Sequence, residues 1–227
     1  MKDEIVIFTD GSSRGNPGPG GYGAIIATAD TVTELGGREE HTTNNRMELQ
    51  AAIEALSHLK TEGTVTLFSD SKYVIQGITS WIHGWIKNDW MNSQKKPVEN
   101  KDLWEALYKC AHEHDIRWNY VAGHSGHLAN ERCDEIATSF ADQDPTLLYS
   151  GARSGYKVSL DADSASHAPA GKPFYLSFVD GAVQEHATWA ECERRVKGKS
   201  GVHFKKVKSR HEADSVIKKW NEKKSGA

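Results

Sequence analysis

Residues 5–27, IVIFTDGSSRGNPGPGGYGAIIA, leave the chain little choice at its start. Two apolar, strand-length runs flank a stretch with six glycines between Gly11 and Gly23, which has no helical pattern. The runs are therefore predicted to pair as an antiparallel hairpin. A glycine-rich loop that cradles phosphate would open a helix and carry Gly-Lys-Ser/Thr, and neither feature is present. The stretch reads instead as the bend of the hairpin, with Asp10 exposed at the sheet edge where the first run ends. Taken alone, that aspartate is ordinary turn chemistry.

Past the hairpin, strand and helix patterns alternate. Apolar runs at 4–9, 22–28 and 64–69, with a shorter one at 116–121, read as strands, and TVTELGGREE at 31–40 reads as a weaker one paired with its predecessor. In NNRMELQAAIEALSHL, Leu49, Ile53, Leu56 and Ala52 fall on one helical stripe that Thr43 or Asn44 can cap. Further helices are predicted at 71–79, 81–88, 100–113 and 127–141. A hairpin followed by strand–helix alternation predicts an α/β fold, with a mixed five-stranded sheet and helices on its faces, over residues 1–141.

From 142 to 171 the chain loses periodicity and turns rich in Ser, Ala, Gly, Asp and Pro, so it reads as a linker whose early part packs on the first domain. Residues 172–227 then show strand, turn, short strand, helix, the strand HFKKV and a final helix, a small α+β domain. Phe174, Phe178, Trp189, Val196, Phe204, Val207 and Ile217 are its expected core. Charge divides the same way: residues 1–170 carry 15 Lys+Arg against 24 Asp+Glu, net −9, and residues 171–227 carry 13 against 7, net +6. A basic terminal unit suits a polyanion, although a solvated lysine-rich face has the same composition. No run reaches the roughly eighteen apolar residues of a membrane span, and MKDEIVIF lacks a signal-peptide layout, so a cytoplasmic location is expected. Cys110, Cys133 and Cys192 are too widely spaced for a disulfide framework and read as reduced thiols.

Three acids join Asp10. Glu48 lies in the second turn of the first helix, Asp70 ends VTLFSD as Asp10 ends IVIFTD, and Asp134 sits on the helix ANERCDEIA. Each is innocent singly, as a cap or a solvated acid. Adjacent parallel strands that both end in Asp place two carboxylates at one sheet edge, where open α/β sheets put their sites. Clustered carboxylates raise one another's pKa unless a counter-charge is bound, and an all-oxygen set suits Mg²⁺ or Mn²⁺. Two such ions roughly 4 Å apart would serve a phosphodiester displacement. His124, His127 and Cys133 could instead be read as zinc ligands, but a fourth ligand and paired-cysteine spacing are missing.

FTDGSSRGNPGPGGYGAII, TTNNRMELQAAIEAL, SDSKYV, WIHGWIKNDW with KKPVENKDLW, and VAGHSGHLANERCDEIA together resemble the type 1 ribonucleases H, close to the bacterial ribonuclease HI form, across residues 4–141. The resemblance implies a metal-dependent endonuclease that cuts the RNA strand of an RNA–DNA hybrid, leaving 5′-phosphate and 3′-hydroxyl ends. It implies metal-binding carboxylates at Asp10, Glu48, Asp70 and Asp134, and at His124 the histidine that assists proton transfer or product release. Asn16, Thr43, Asn44 and Asn45 match positions that contact the hybrid, with Thr43 and Asn16 part of a DNA-phosphate pocket; capping serves Asn44 and Asn45 equally well. Lys72 stands where bacterial relatives commonly have an amide, which implies a phosphate contact to the substrate in place of a base or ribose contact. Residues 81–100 look like the family's basic protrusion, here with Lys87, Lys95 and Lys96 against Asp89 and Glu99, and Trp81 and Trp85 either line a DNA channel or fill a core.

FYLSF, TWAECERRVKGKSGVHFKKVKSRHEA and the closing helix resemble the hybrid-binding domain of eukaryotic type 1 ribonucleases H, itself similar to the caulimovirus viroplasmin module. The resemblance implies DNA-strand contacts from Trp189 and Phe204, phosphate contacts from Lys205 and Lys206, and Tyr175 near the RNA. Unlike the family pattern, the domain follows the catalytic one, and VDGAVQEHA before Trp189 carries two acids and no Lys or Arg. The expected partner is an RNA–DNA hybrid, with double-stranded RNA the alternative for this unit, and the expected state is a monomer.

Overall fold

The computed structural model describes residues 4–60, 63–123, 126–161, 174–179 and 181–207, together with Ala213, Val216, Ile217 and Trp220. The chain forms two compact units, the first of residues 1–123 and 127–161 and the second containing 162–227.

In the first unit, β1 (Glu4–Ser13) pairs antiparallel with β2 (Gly18–Ala27), and β2 pairs antiparallel with β3 (Thr31–Thr42). On the other side β4 (Thr64–Ser69) runs parallel to β1, and β5 (Asp115–Tyr120) runs parallel to β4. Parallel neighbours need crossovers, supplied by α1 (Asn44–Ser57) and by α2 (Lys72–Gln76), α3 (Ile82–Lys87) and α4 (Lys101–His112). The helix α5 (Leu128–Ala141) follows β5. The α/β fold with a mixed sheet is as expected, and it differs in detail. The predicted helices 71–79 and 81–88 form one helical run, joined by a π-helical turn at Gly77–Trp81. Instead of five strands the sheet has six, in the order β5-β4-β1-β2-β3-β6, because Ser150–Ala152 adds β6 antiparallel to β3. Three residues are too few to show alternation.

The sixth strand is held from inside. The Glu34 side chain on β3 is 1% exposed and receives both Nε and Nη2 of Arg132 at 2.9 and 2.8 Å, the Tyr156 hydroxyl at 2.7 Å and the Tyr149 amide at 2.9 Å. Burial pushes its carboxyl up, but these hydrogen bonds outweigh it and hold the group below its usual range. Tyr149, Tyr156, Val158 and Leu160 pack beside Phe8, Ile25, Val32 and Cys133 on the α5 face of the sheet. On the opposite face Ile5, Ile7, Val65 and Leu67 meet Leu49, Leu56, Trp104 and Leu107.

The hairpin also differs from its reading as a long glycine bend. Both strands continue through the glycines, the bend is confined to residues 14–17, and Asp10 lies within β1 opposite Gly23, only 6% exposed rather than open at an edge. Gly11, Gly21 and Gly23 are there because helices press close: a Cβ on Gly23 would collide with the Cys133 carbonyl of α5. Among the described residues no helix is long and apolar enough to cross a membrane.

The second unit is a three-stranded antiparallel sheet ordered β8-β7-β9, from β7 (Phe174–Val179), β8 (Ala182–His186) and β9 (His203–Val207). Thr188 and Glu191 form a capping box that starts α6 (Trp189–Val196). Alternation along β7 sends Val179 and Tyr175 toward Cys192 and Val196 of α6, and Leu176 toward Val207 and the helical residues Ala213 and Val216. Trp189 and Phe204 were expected inside, and the structure corrects this: they are 39% and 52% exposed. The α6 core is filled by smaller side chains one and two helical turns further on, Cys192 and Val196.

Candidate active site

β1 and β4 run parallel with Thr9 opposite Ser69, so the residues that follow, Asp10 and Asp70, lie side by side beyond the end of the β4 ladder. Glu48 arrives from α1, whose start is fixed by Thr43, its hydroxyl accepting from the Arg46 amide at 3.4 Å. One carboxylate oxygen each from Asp10, Glu48 and Asp70 lies within 4.8 Å of the others. Burial, then the charges of Asp70 and Asp134, push the Asp10 carboxyl well up, opposed by the Gly11 amide that donates to Oδ1 at 2.7 Å. Burial, then Asp10 and Asp70, does the same to Glu48. Asn44 Nδ2 donates to Glu48 Oε1 at 3.2 Å, while Oε2 is buried without a partner.

A buried carboxylate with one oxygen unpartnered, beside two further carboxylates, is unfavourable unless a cation completes the set. Three hard oxygen donors fit a divalent ion of the Mg²⁺ type, so the residues present suit such a group. Asp134, on α5, is half-buried and close enough for its charge to act on Asp10, but it lies outside the mutual group of three.

A family comparison decides what this constellation belongs to: the RNase H model matches residues 2–142. The chain belongs to the RNase H family. It is 56% identical over 137 residues to a ribonuclease H of Mesorhizobium japonicum, covering 60% of this chain and 77% of the relative. With a ribonuclease H of Pectobacterium carotovorum it shares 54% over 147 residues, covering 65% and 95%. The crystal structure of LC9-RNase H1, a type 1 RNase H, superposes with a TM-score of 0.58 at 29% identity, covering 70% of this chain and 79% of that one. The family match ends at residue 142 and does not include the second unit.

In this RNase H unit Asn130 was not anticipated from sequence. Its Nδ2 donates to Asp70 Oδ2 at 3.2 Å, and its buried Oδ1 has no partner. The signal was its spacing, four residues before Asp134 and so on the same helix face. Gly123, which follows β5, passes so near that a Cβ there would stand 2.6 Å from Asp70 Oδ2. His124 lies outside the described residues. Cys133 is fully buried and its thiol donates to the Phe8 carbonyl at 3.3 Å, which commits it to the core.

Around the rim, Asn16 Oδ1 accepts from the Asn44 amide at 3.2 Å, so Asn16, Thr43, Asn44 and Asn45 gather at the start of α1. Lys72 is exposed at the first position of α2. Trp81 is 39% exposed and tilted against Trp85 at 5.8 Å, while Trp85 is half-buried and packs edge-on to the core ring of Trp104 at 5.3 Å. Trp85 thus belongs to the core, while Trp81 stays at the surface. In the second unit Trp189 stands 5.6 Å from Tyr175 and 5.2 Å from Phe204, and Lys206 Nζ lies 5.8 Å above the Tyr175 ring, so that exposed Trp189 and Phe204 flank a half-buried tyrosine with lysine beside it.

Proposed function

We propose that the RNase H unit hydrolyses the RNA strand of RNA–DNA hybrids endonucleolytically, leaving 5′-phosphate and 3′-hydroxyl ends, and that the basic second unit tethers the nucleic acid. The observation that carries the reading is the convergence of Asp10, Glu48 and Asp70 with an orphaned Glu48 oxygen, in a chain of this family. Mg²⁺ or Mn²⁺ ions, two in the substrate complex, would neutralise the carboxylates and supply an activated water and charge stabilisation at the phosphate. This chain's own residues do the rest. Asp10, Glu48 and Asp70, with Asp134 as a fourth carboxylate, hold the ions, and Asn130 orients Asp70. His124 exchanges a proton near neutral pH or eases product release. The amides of Asn16, Asn44 and Asn45 suit the wide, shallow minor groove of an A-like hybrid, whose ribose 2′-hydroxyls mark the RNA strand.

The test is cleavage of an end-labelled hybrid beside matched DNA and RNA duplexes, in Mg²⁺, Mn²⁺ and EDTA. Cleavage confined to the hybrid's RNA strand and abolished by EDTA is expected; activity in EDTA would defeat the reading. His124→Ala is expected to slow turnover by about a hundredfold, the lower end of what positioned acid–base groups contribute, without abolishing it.

For the second unit, Trp189, Phe204 and Tyr175 offer stacking faces and Lys205 and Lys206 phosphate contacts. Lys205→Ala combined with Lys206→Ala in the full chain is expected to raise KM rather than lower kcat and to reduce the salt dependence of hybrid binding by about two phosphates. Unchanged affinity at every salt concentration would remove the tether. Double-stranded RNA in the same titration decides between the two ligands of this unit.

A further inference from the structure

One side of the carboxylate cluster carries a charge and a ring that no step above uses together. Lys72, exposed at the start of α2, places its Nζ 5.5 Å from the centroid of the Tyr120 ring. Tyr120 ends β5 and is 46% exposed. It sits in register with Ser69, the residue before Asp70, and the next amide, that of Val121, donates to the Ser69 carbonyl at 3.1 Å. The ring is therefore fixed at the sheet end where the acids collect. Alternation along β5 puts it on the face of Ile116 and Trp118, the face that packs against α1 and α4, and it is from α1 that Glu48 enters.

Stability explains neither residue. A cation in the first turn of a helix opposes the helix dipole, and an exposed ring gains little from burial. Lys72 takes part in none of the ion pairs among the described residues, although a carboxylate stands two positions before it. The ring face offers the ammonium a cation–π partner and so keeps it from neutralising the acidic cluster, while its N–H groups remain open to an anion. Ordering a long, flexible side chain in advance also removes entropy that binding would otherwise have to take up.

We propose that Lys72 and Tyr120 form a phosphate subsite beside the acidic cluster, in which the Tyr120 ring positions the Lys72 ammonium for a backbone phosphate flanking the cleaved bond. This rests on the hybrid-cleaving reading. Lys72 makes the contact, and Tyr120 is a positioning residue that acts through it.

The experiment is a double-mutant cycle in the full chain, read by anisotropy of a labelled hybrid in EDTA over a salt series and by steady-state cleavage in Mg²⁺. Both side chains are exposed, and Tm reports that each variant folds. Lys72→Met is expected to weaken binding about tenfold near 0.1 M salt and to lower the log–log salt slope by about one. Tyr120→Leu is expected to weaken it about two- to fivefold with the loss in KM rather than kcat, and Tyr120→Phe, which keeps a ring face, to recover most of that loss. The double variant should bind no more weakly than Lys72→Met alone, because the ring acts only through the lysine. Wild-type affinity in Tyr120→Leu, losses that add in the double variant, or an effect confined to kcat would each overturn the proposal. A wild-type chain that binds the hybrid in EDTA but cleaves none in Mg²⁺ or Mn²⁺ would overturn the activity reading instead.

Discussion

Asp10→Asn is expected to lower kcat/KM on a hybrid by more than about a thousandfold, because losing a ligand charge removes several kcal/mol of metal-borne stabilisation and each 1.36 kcal/mol is tenfold in rate. The same variant should melt higher than wild type in EDTA at neutral pH. Burial and the charges of Asp70 and Asp134 raise the Asp10 carboxyl on folding, so its ionisation works against the folded state once pH exceeds the unfolded value of about 4. The gain from Asn is therefore absent in acid, grows as pH rises toward the folded value and is full above it. Saturating Mg²⁺ should narrow or reverse the difference, since only wild type keeps the full ligand set. Melting curves of both proteins at pH 4 and pH 7.5, with EDTA and with Mg²⁺, check each part; a wild-type rate in the variant, or a higher melting point at pH 4 alone, would contradict it.

How much of this was legible follows from what kind of pattern each residue leaves. Asp10 and Asp70 could be paired in advance because each follows a strand-like apolar run, and parallel pairing of β1 with β4 then sets them side by side. Glu48 was visible beside the stripe of Leu49, Ile53 and Leu56, which are buried as expected. The length of the hairpin was not visible: glycine reads as turn, and only the helices on both faces reveal why strand positions had to lose their side chains. Trp189 and Phe204 misled for a related reason, since apolar size predicts burial only where another element covers the position. Ser150–Ala152 pairs with β3 through contacts that start at Glu34, more than a hundred residues earlier, and no local pattern announces such a partner. Asn130 and Tyr120 belong to the same class, polar or aromatic residues whose meaning lies in a neighbour brought by the fold.

Gly11→Ala is the variant expected to damage fold and site together. Gly11 follows Asp10 in β1, and a Cβ there would fall on the backbone of Met47 and Glu48, the part of α1 that delivers the third carboxylate. The obstacle is main chain on both sides, so no rotamer change relieves it; the helix must move off the strand. Overpacking in a core costs about 1–3 kcal/mol, and a backbone-against-backbone collision belongs at or above the top of that range. Displacing α1 carries Glu48 away from Asp10, and a shift of about 1 Å at a reacting centre can lower the rate about a hundredfold. Measured well below its melting temperature, the variant should therefore lose Tm, at least about a hundredfold in kcat/KM, and divalent-ion affinity. Gly84→Ala is the internal control: it lies in α3, where a Cβ meets nothing within 4 Å, and the same methyl should raise stability by about 0.5–1 kcal/mol with activity preserved. If Gly11→Ala melted and cleaved like wild type, the close seating of α1 on β1 would not be what brings Glu48 to the two aspartates.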